Sequence, residues 1–124
     1  MQRLPVVLRG KVRRGQQLGR KLGYPTANIR LHQKDIDEGV YISETRVEQS
    51  WLPSITFVGA AKTFALKQPL VETHILDKKM NLYDKWISVR LIKYLRGNRK
   101  FKTPVDLTAA MKTDEQKARK FHRM

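Results

Sequence analysis

Six short bursts of apolar and β-branched residues, with no helical period between them, constrain this chain more than any other feature of its sequence. They run over 4–12, 24–31, 40–47, 55–61, 70–76 and 86–95, and each has the length and composition of a strand. In the last, Ile87, Val89, Leu91, Lys93 and Leu95 alternate with Trp86, Ser88, Arg90, Ile92 and Tyr94. One face is therefore largely apolar and the other mixed, which suits the wall of a barrel. Parallel strands need long crossovers, usually helical, and none is visible here, so the strands are expected to pair antiparallel. Closing the sheet would also remove its exposed edges.

The C-terminus changes period. Thr103 suits a helix N-cap, Pro104 the first helical position, and Asp106 stands where a carboxylate meets the positive end of the helix dipole. Leu107, Ala110, Met111, Ala118 and Phe121 then recur at helical spacing, a stripe to lay against the strands. Asp114 falls on that stripe, where it either opens a second stretch of helix after Thr113 or faces a ligand. The prediction is an all-β core with α: a six-stranded antiparallel barrel followed by one C-terminal helix.

Length allows one domain, 1–124, and no second sizeable core. With no cysteine, the chain has no disulfide framework, thiol nucleophile or zinc-finger-like site. The apolar run between Arg3 and Arg9 is too short for a signal-peptide core or a membrane span. A soluble, cytoplasmic monomer is expected. The formal net charge of +15 predicts a surface attractive to polyanions without choosing among nucleic acid, anionic membrane and nucleotide phosphates.

The stretch GRKLGYPTANI, beginning at Gly19, is the densest in chemistry. Gly10, Gly15, Gly19 and Gly23 precede the second burst, and glycine lets backbone amides approach phosphate oxygens. Arg14, Arg20 and Lys21 add charge, although the spacing of a P-loop is missing. Taken alone, this is either a plain connection between strands or a phosphate loop. Pro25 restricts the backbone just before Thr26 and Asn28, which lie two apart and so share one side of a strand. Their neutral oxygens either bond a neighbouring loop or complete a magnesium shell. Glu72 has the apolar neighbours Leu70, Val71, Ile75 and Leu76, which sets it either on an outer face or in a partly buried site of the kind a general base occupies. His74 lies on the same side of that strand; His32 and His122 have no partner pattern.

Read together, GRKLGYPTANI, GVY at Gly39, VETHILD at Val71, LY at Leu82, YLRGNRKF at Tyr94 and the Asp114 and Arg119 pair resemble the riboflavin kinase family, in that order and across nearly the whole chain. The resemblance implies a Greek-key barrel with a C-terminal helix, and transfer of the γ-phosphoryl group of ATP to the ribityl 5′-hydroxyl of riboflavin, giving FMN and ADP. It implies that Thr26 and Asn28 hold Mg²⁺, that Glu72 is the base, and that Gly15, Gly19, Arg20, Lys21, Pro25 and Thr26 cradle the nucleotide. It further implies flavin contacts from Arg96, Phe101, Asp114 and Arg119.

The chain departs from the family at 57–63, where it reads FVGAAKT in place of an N-I-G-x-x-P-T pattern, at Lys78, and at Asp84, where a glycine is usual. A module that binds flavin or nucleotide without turnover therefore stands as an alternative. A small basic nucleic-acid-binding barrel is the other; Trp51, Trp86 and the tyrosines form no stacking ladder in the sequence, which argues against it. Many bacterial relatives carry an FMN adenylyltransferase domain ahead of this module. No HxGH-type motif occurs in the 124 residues, so FMN synthesis without FAD synthesis is expected.

Overall fold

A computed structural model describes residues 3–13, 26–32, 35–59 and 70–124. Its strands are β1 (Val6–Lys11), β2 (Ala27–Arg30), β3 (Gly39–Val47), β4 (Ser50–Gly59), β5 (Leu70–Ile75) and β6 (Trp86–Arg96), followed by helix α1 (Pro104–His122). All five ladders are antiparallel, in the order β1-β6-β3-β4-β5-β2. Just past the end of β1, the amide of Arg13 donates to the carbonyl of Asn28 at 2.8 Å, bringing the two edges of the sheet together. Nearby, a Cβ on Gly10 would lie 2.9 Å from that of Ile29, so only glycine allows β1 to come so close to β2. The sheet is thus a nearly closed barrel, as the strand pattern predicted.

β4 starts five residues earlier than the apolar burst that announced it. A two-residue turn, with Glu48 at φ 58°, leads straight from Val47 into Ser50. Pro53 disguises this part of the strand, because proline normally argues against an interior strand. It is accommodated where β5 has run out: its carbonyl accepts from the amide of Leu76, just after β5 ends.

Inside the barrel the two walls differ. Leu8, Val12, Ile29, Leu31, Ile87, Val89 and Leu91 are buried in one apolar cluster that also holds Tyr41, Val58 and Val71. The wall formed by β3, β4 and β5 instead carries a chain of five buried hydroxyls. Thr45 bonds Ser54 at 2.8 Å, Ser54 bonds Ser43 at 2.7 Å, Ser43 bonds Thr56 at 2.7 Å, and Thr56 bonds Thr73 at 2.9 Å. Each of these five hydroxyls finds a partner among the others, so none of them is left bare in the dry interior.

α1 is one uninterrupted helix, capped by Thr103, whose Oγ1 accepts from the amide of Asp106 at 3.1 Å. It packs over a smaller cluster of Ile42, Leu76 and Ala118, flanked by Ile55 and Leu95. The predicted stripe holds at Ala118 but not at Phe121, which is 45% exposed. Polar ties also join it to the barrel. Asp114 pairs with Arg96, Arg119 with Asp77, and His122 Nε2 lies 3.1 Å from the carbonyl of Ser43.

Candidate active site

Strand pairing sets Asn28 opposite Glu72, Glu72 opposite Phe57, Phe57 opposite Val40, and Val40 opposite Arg96. This single row crosses β2, β5, β4, β3 and β6. At the usual strand spacing it is about 19 Å long along the sheet. Register alone therefore puts the expected metal ligand beside the expected base, with an expected flavin contact at the far end of the same row.

At the Asn28 end the polar groups are withdrawn from water. Ala27 and Ile29 turn into the core, which leaves Thr26 and Asn28 on the opposite side of the strand with Glu72. Asn28 is nonetheless only 1% exposed. Thr26 Oγ1 is buried and has no hydrogen-bond partner. Such an atom is costly to leave bare, and in a native fold it points to a missing ligand or water. Burial raises the pKa of Glu72 above the ordinary carboxylate range, because its charged form loses hydration. A half-buried carboxylate whose charged form is disfavoured holds an accepted proton more tightly than a hydrated one, as a general base requires.

The Arg96 end is a pocket of about 460 Å³ between the segment after β6 and the middle of α1, with Arg96, Asn98, Arg99, Thr113, Asp114 and Lys117 among its lining residues. That volume lies in the range of small-molecule sites. Arg96 and Asp114 meet there in a two-pronged pair, Nε to Oδ1 at 3.0 Å and Nη2 to Oδ2 at 2.8 Å. Because α1 runs unbroken from Pro104 to His122, Asp114 opens no second stretch of helix. The Arg96 guanidinium also lies 5.6 Å from the ring centre of Phe101.

The pocket wall is tied to the loop before β3. Asn98 Nδ2 donates to Glu38 Oε1 at 2.9 Å, and the Tyr94 hydroxyl to the Glu38 carbonyl at 3.3 Å. Gly39, at φ 150°, lies under this crossing, where a Cβ would come 2.5 Å from the carbonyl oxygen of Arg96. Sequence reasoning missed Glu38, Asn98, Thr113 and Lys117, since their roles depend on which loop crosses which strand. The YLRGNRKF run was the one signal that could have found Asn98.

Arg119, expected at the flavin, is not among the residues lining the pocket. Its guanidinium is engaged by Asp77 at 2.5 Å and Glu115 at 2.8 Å. Gly15, Gly19, Arg20, Lys21 and Pro25, the expected nucleotide cradle, lie outside the described residues, as do positions 60–63 of the divergent segment. Among the described residues no three His, Cys, Asp or Glu side chains gather as metal ligands, and no helix is long and apolar enough to cross a membrane.

A nearly closed antiparallel barrel thus carries a desolvated carboxylate beside neutral oxygens, joined by one strand row to a pocket of small-molecule size. The comparisons with known proteins give its family. The riboflavin kinase family model, Flavokinase, matches residues 2–122, and the chain belongs to that family. It is 35% identical over 119 residues to the trifunctional protein RibF/MnmA of Mycoplasmoides gallisepticum, covering 94% of this chain and 18% of that one. It is 36% identical over 119 residues to the bifunctional riboflavin kinase/FMN adenylyltransferase of Escherichia coli K12, covering 94% and 38%. The chain thus spans less than two fifths of the length of these curated relatives.

Two solved structures show the same fold. A macrolide-efflux protein from Streptococcus pneumoniae aligns with a TM-score of 0.83 and 29% identity, over 93% of this chain and 38% of that one. The riboflavin kinase from Trypanosoma brucei aligns with a TM-score of 0.65 and 24% identity, over 94% and 79%.

Proposed function

We propose that this chain phosphorylates riboflavin with ATP, giving FMN and ADP. The observation that carries the reading is the pairing of Asn28 with Glu72, next to the orphaned hydroxyl of Thr26 and in one strand row with the Arg96 pocket. On this reading the flavin ring occupies the pocket beside Arg96, Asp114 and Phe101, and the ribityl chain runs along the row toward Glu72. The 5′-oxygen attacks the γ-phosphorus, the bond from that phosphorus to the bridging oxygen breaks, and ADP leaves with the electron pair. The hydroxyl proton passes to the Glu72 carboxylate.

Thr26 and Asn28 offer neutral oxygens, one buried without a partner, and this donor set fits Mg²⁺ that is also held by phosphates and water. When bound, the ion would neutralise phosphate charge; Thr26 and Asn28 would hold it, and Glu72 would orient the attacking hydroxyl. Gly15, Gly19, Arg20, Lys21 and Pro25 would cradle the nucleotide. The kinase domain would act as a cytoplasmic monomer. These 124 residues carry no HxGH-type motif, so the reaction they catalyse would stop at FMN.

The test incubates the chain with riboflavin, ATP and Mg²⁺ and resolves flavins by chromatography. FMN is expected without FAD. Glu72→Gln should lower kcat by roughly a hundredfold to ten-thousandfold, the usual contribution of a positioned base. Turnover unaffected by that substitution would remove Glu72 from the chemistry, and tight riboflavin binding without turnover would favour a non-catalytic binder.

A further inference from the structure

The charge of +15 is far more than one phosphoryl-transfer site needs, and part of it is gathered on a sheet face that the helix leaves uncovered. On the outer side of the barrel, Arg9 of β1 is opposite Ser88 of β6, Ser88 opposite Arg46 of β3, and Arg46 opposite Trp51 of β4. The next row in one direction runs Val7, Arg90, Glu44 and Pro53; in the other, Lys11 is opposite Trp86. Trp51 and Trp86 therefore share one face, although nothing in the linear sequence shows them to be neighbours.

This face mixes aromatic and cationic planes. Trp86 is 59% exposed and Val7 43%. Arg9 lies 5.5 Å from the Trp86 ring centre and donates to Ser88 Oγ at 3.2 Å, while Arg90 stacks 3.9 Å over Trp51. Glu44, the carboxylate on these rows, is already paired with Arg90 at 2.8 Å. Among the described residues no carboxylate is within ion-pair distance of Arg9, Lys11 or Arg46. The patch is thus positively charged around a tryptophan that water covers.

We propose that this face binds single-stranded nucleic acid, with a base stacked on Trp86, a second on the Arg90 plane over Trp51, and Arg9, Lys11 and Arg46 on the phosphates. Unpaired bases offer flat faces to aromatic rings and guanidinium planes, whereas a duplex hides them. The face spans about 14 Å in each direction by strand geometry, which gives room for a few nucleotides. An acidic protein would satisfy the cations but would leave Trp86 without a stacking partner.

The test titrates the full chain with an oligo(dT) of about a dozen nucleotides at low salt, following tryptophan fluorescence, with polyglutamate of similar length as a second probe. Quenching by oligo(dT) is expected, weakened about tenfold in Trp86→Ala, within the range for one lost base stack. Replacing Arg9 and Arg46 together by Ala should lower the slope of log K against log salt by about 1.4, at roughly 0.7 per phosphate contact. Circular dichroism and FMN formation should be unchanged in Trp86→Ala, an exposed position outside the kinase row. Absence of oligo(dT) binding would overturn the proposal, as would binding indifferent to Trp86. Equal binding of polyglutamate with the same dependence on Trp86 would also overturn it and identify an acidic-protein surface.

Discussion

At the Asn28 end of the cross-strand row, the polar atoms are neutral oxygens or a carboxyl whose charge is discouraged by burial, whereas at the Arg96 end full charges are matched in place. Thr26 Oγ1 has no partner, while Arg96 and Asp114 hold each other with two prongs. At the first end the bare atom is a neutral hydroxyl beside a carboxyl whose charge is disfavoured; at the other the Arg96 and Asp114 charges are matched, and the bare atom is the amide oxygen of Asn98. On the proposed function, the first end would gain from metal and phosphate, and the matched pair would let a flat, uncharged ring bind without breaking an ion pair. Such a division suits a reaction in which charge moves at one end of the substrate and shape is recognised at the other.

Breaking the Asn28 end should have the largest effect. Replacing Thr26 with Val and Asn28 with Leu removes both oxygens while keeping side-chain bulk. Nucleotide binding measured by calorimetry should lose its Mg²⁺ dependence and weaken at least about a hundredfold, since the site's polar complement is gone. In Thr26→Val alone the melting temperature should hold or rise, because an orphaned buried hydroxyl disappears with Thr26. Undiminished Mg²⁺-dependent binding would place the metal elsewhere.

Breaking the balanced end should instead unfold the protein first. Asp114→Ala leaves Arg96 largely buried without its partner, at a cost of about 3 kcal/mol, the low end for such pairs because the Arg96 side chain is 23% exposed. In a chain of this size that lowers the melting temperature by about 10 °C. Replacing the pair with Met at 96 and Leu at 114 should recover most of the loss while still impairing riboflavin binding. A double variant as unstable as the single one would mean that the pair matters through its shape and not its charge.

How much of this was legible in the sequence differs along the same row. The strands, the helix cap at Thr103 and the oxygens of Thr26 and Asn28 could be read because periodicity, capping and spacing are local. The Asn28 to Glu72 pairing could not, since register between β2 and β5 joins positions 44 residues apart; the motif resemblance gave each residue a role but not their register. Pro53 hid the first half of β4, because the context that tolerates it lies beyond the end of β5. The hydroxyl chain from Thr45 to Thr73 was also hidden, because serine and threonine in a strand look alike whether they face water or one another. The two tryptophans came together only through the β1, β6, β3, β4 order.

Desolvation of Glu72 predicts a smaller effect, read in stability. Its folded pKa lies above its unfolded value, so the folded state holds that proton more tightly. The stability this gives is complete below the ordinary carboxylate range and is lost as pH rises through the raised value. Glu72→Gln should therefore melt higher than the parent chain at neutral pH, and the advantage should vanish as pH falls below the ordinary carboxylate range. A variant that is less stable at neutral pH would show that Glu72 is held by favourable partners, and the contrast with the balanced end would weaken.

The smallest effect is expected at Arg119. Its hydrogen bond to Asp77 is the main cause holding that carboxyl below its ordinary value, yet the Asp77 side chain is 56% exposed and the Arg119 side chain 32%. Exposed pairs exchange one set of charge partners for hydration and are screened by salt. Arg119→Ala should shift the melting temperature by no more than about 2 °C and leave KM for riboflavin within about threefold. A large rise in that KM with unchanged melting would mean that Arg119 leaves Asp77 when the flavin binds. The far end of the row would then be rearranged by its ligand, and not balanced beforehand.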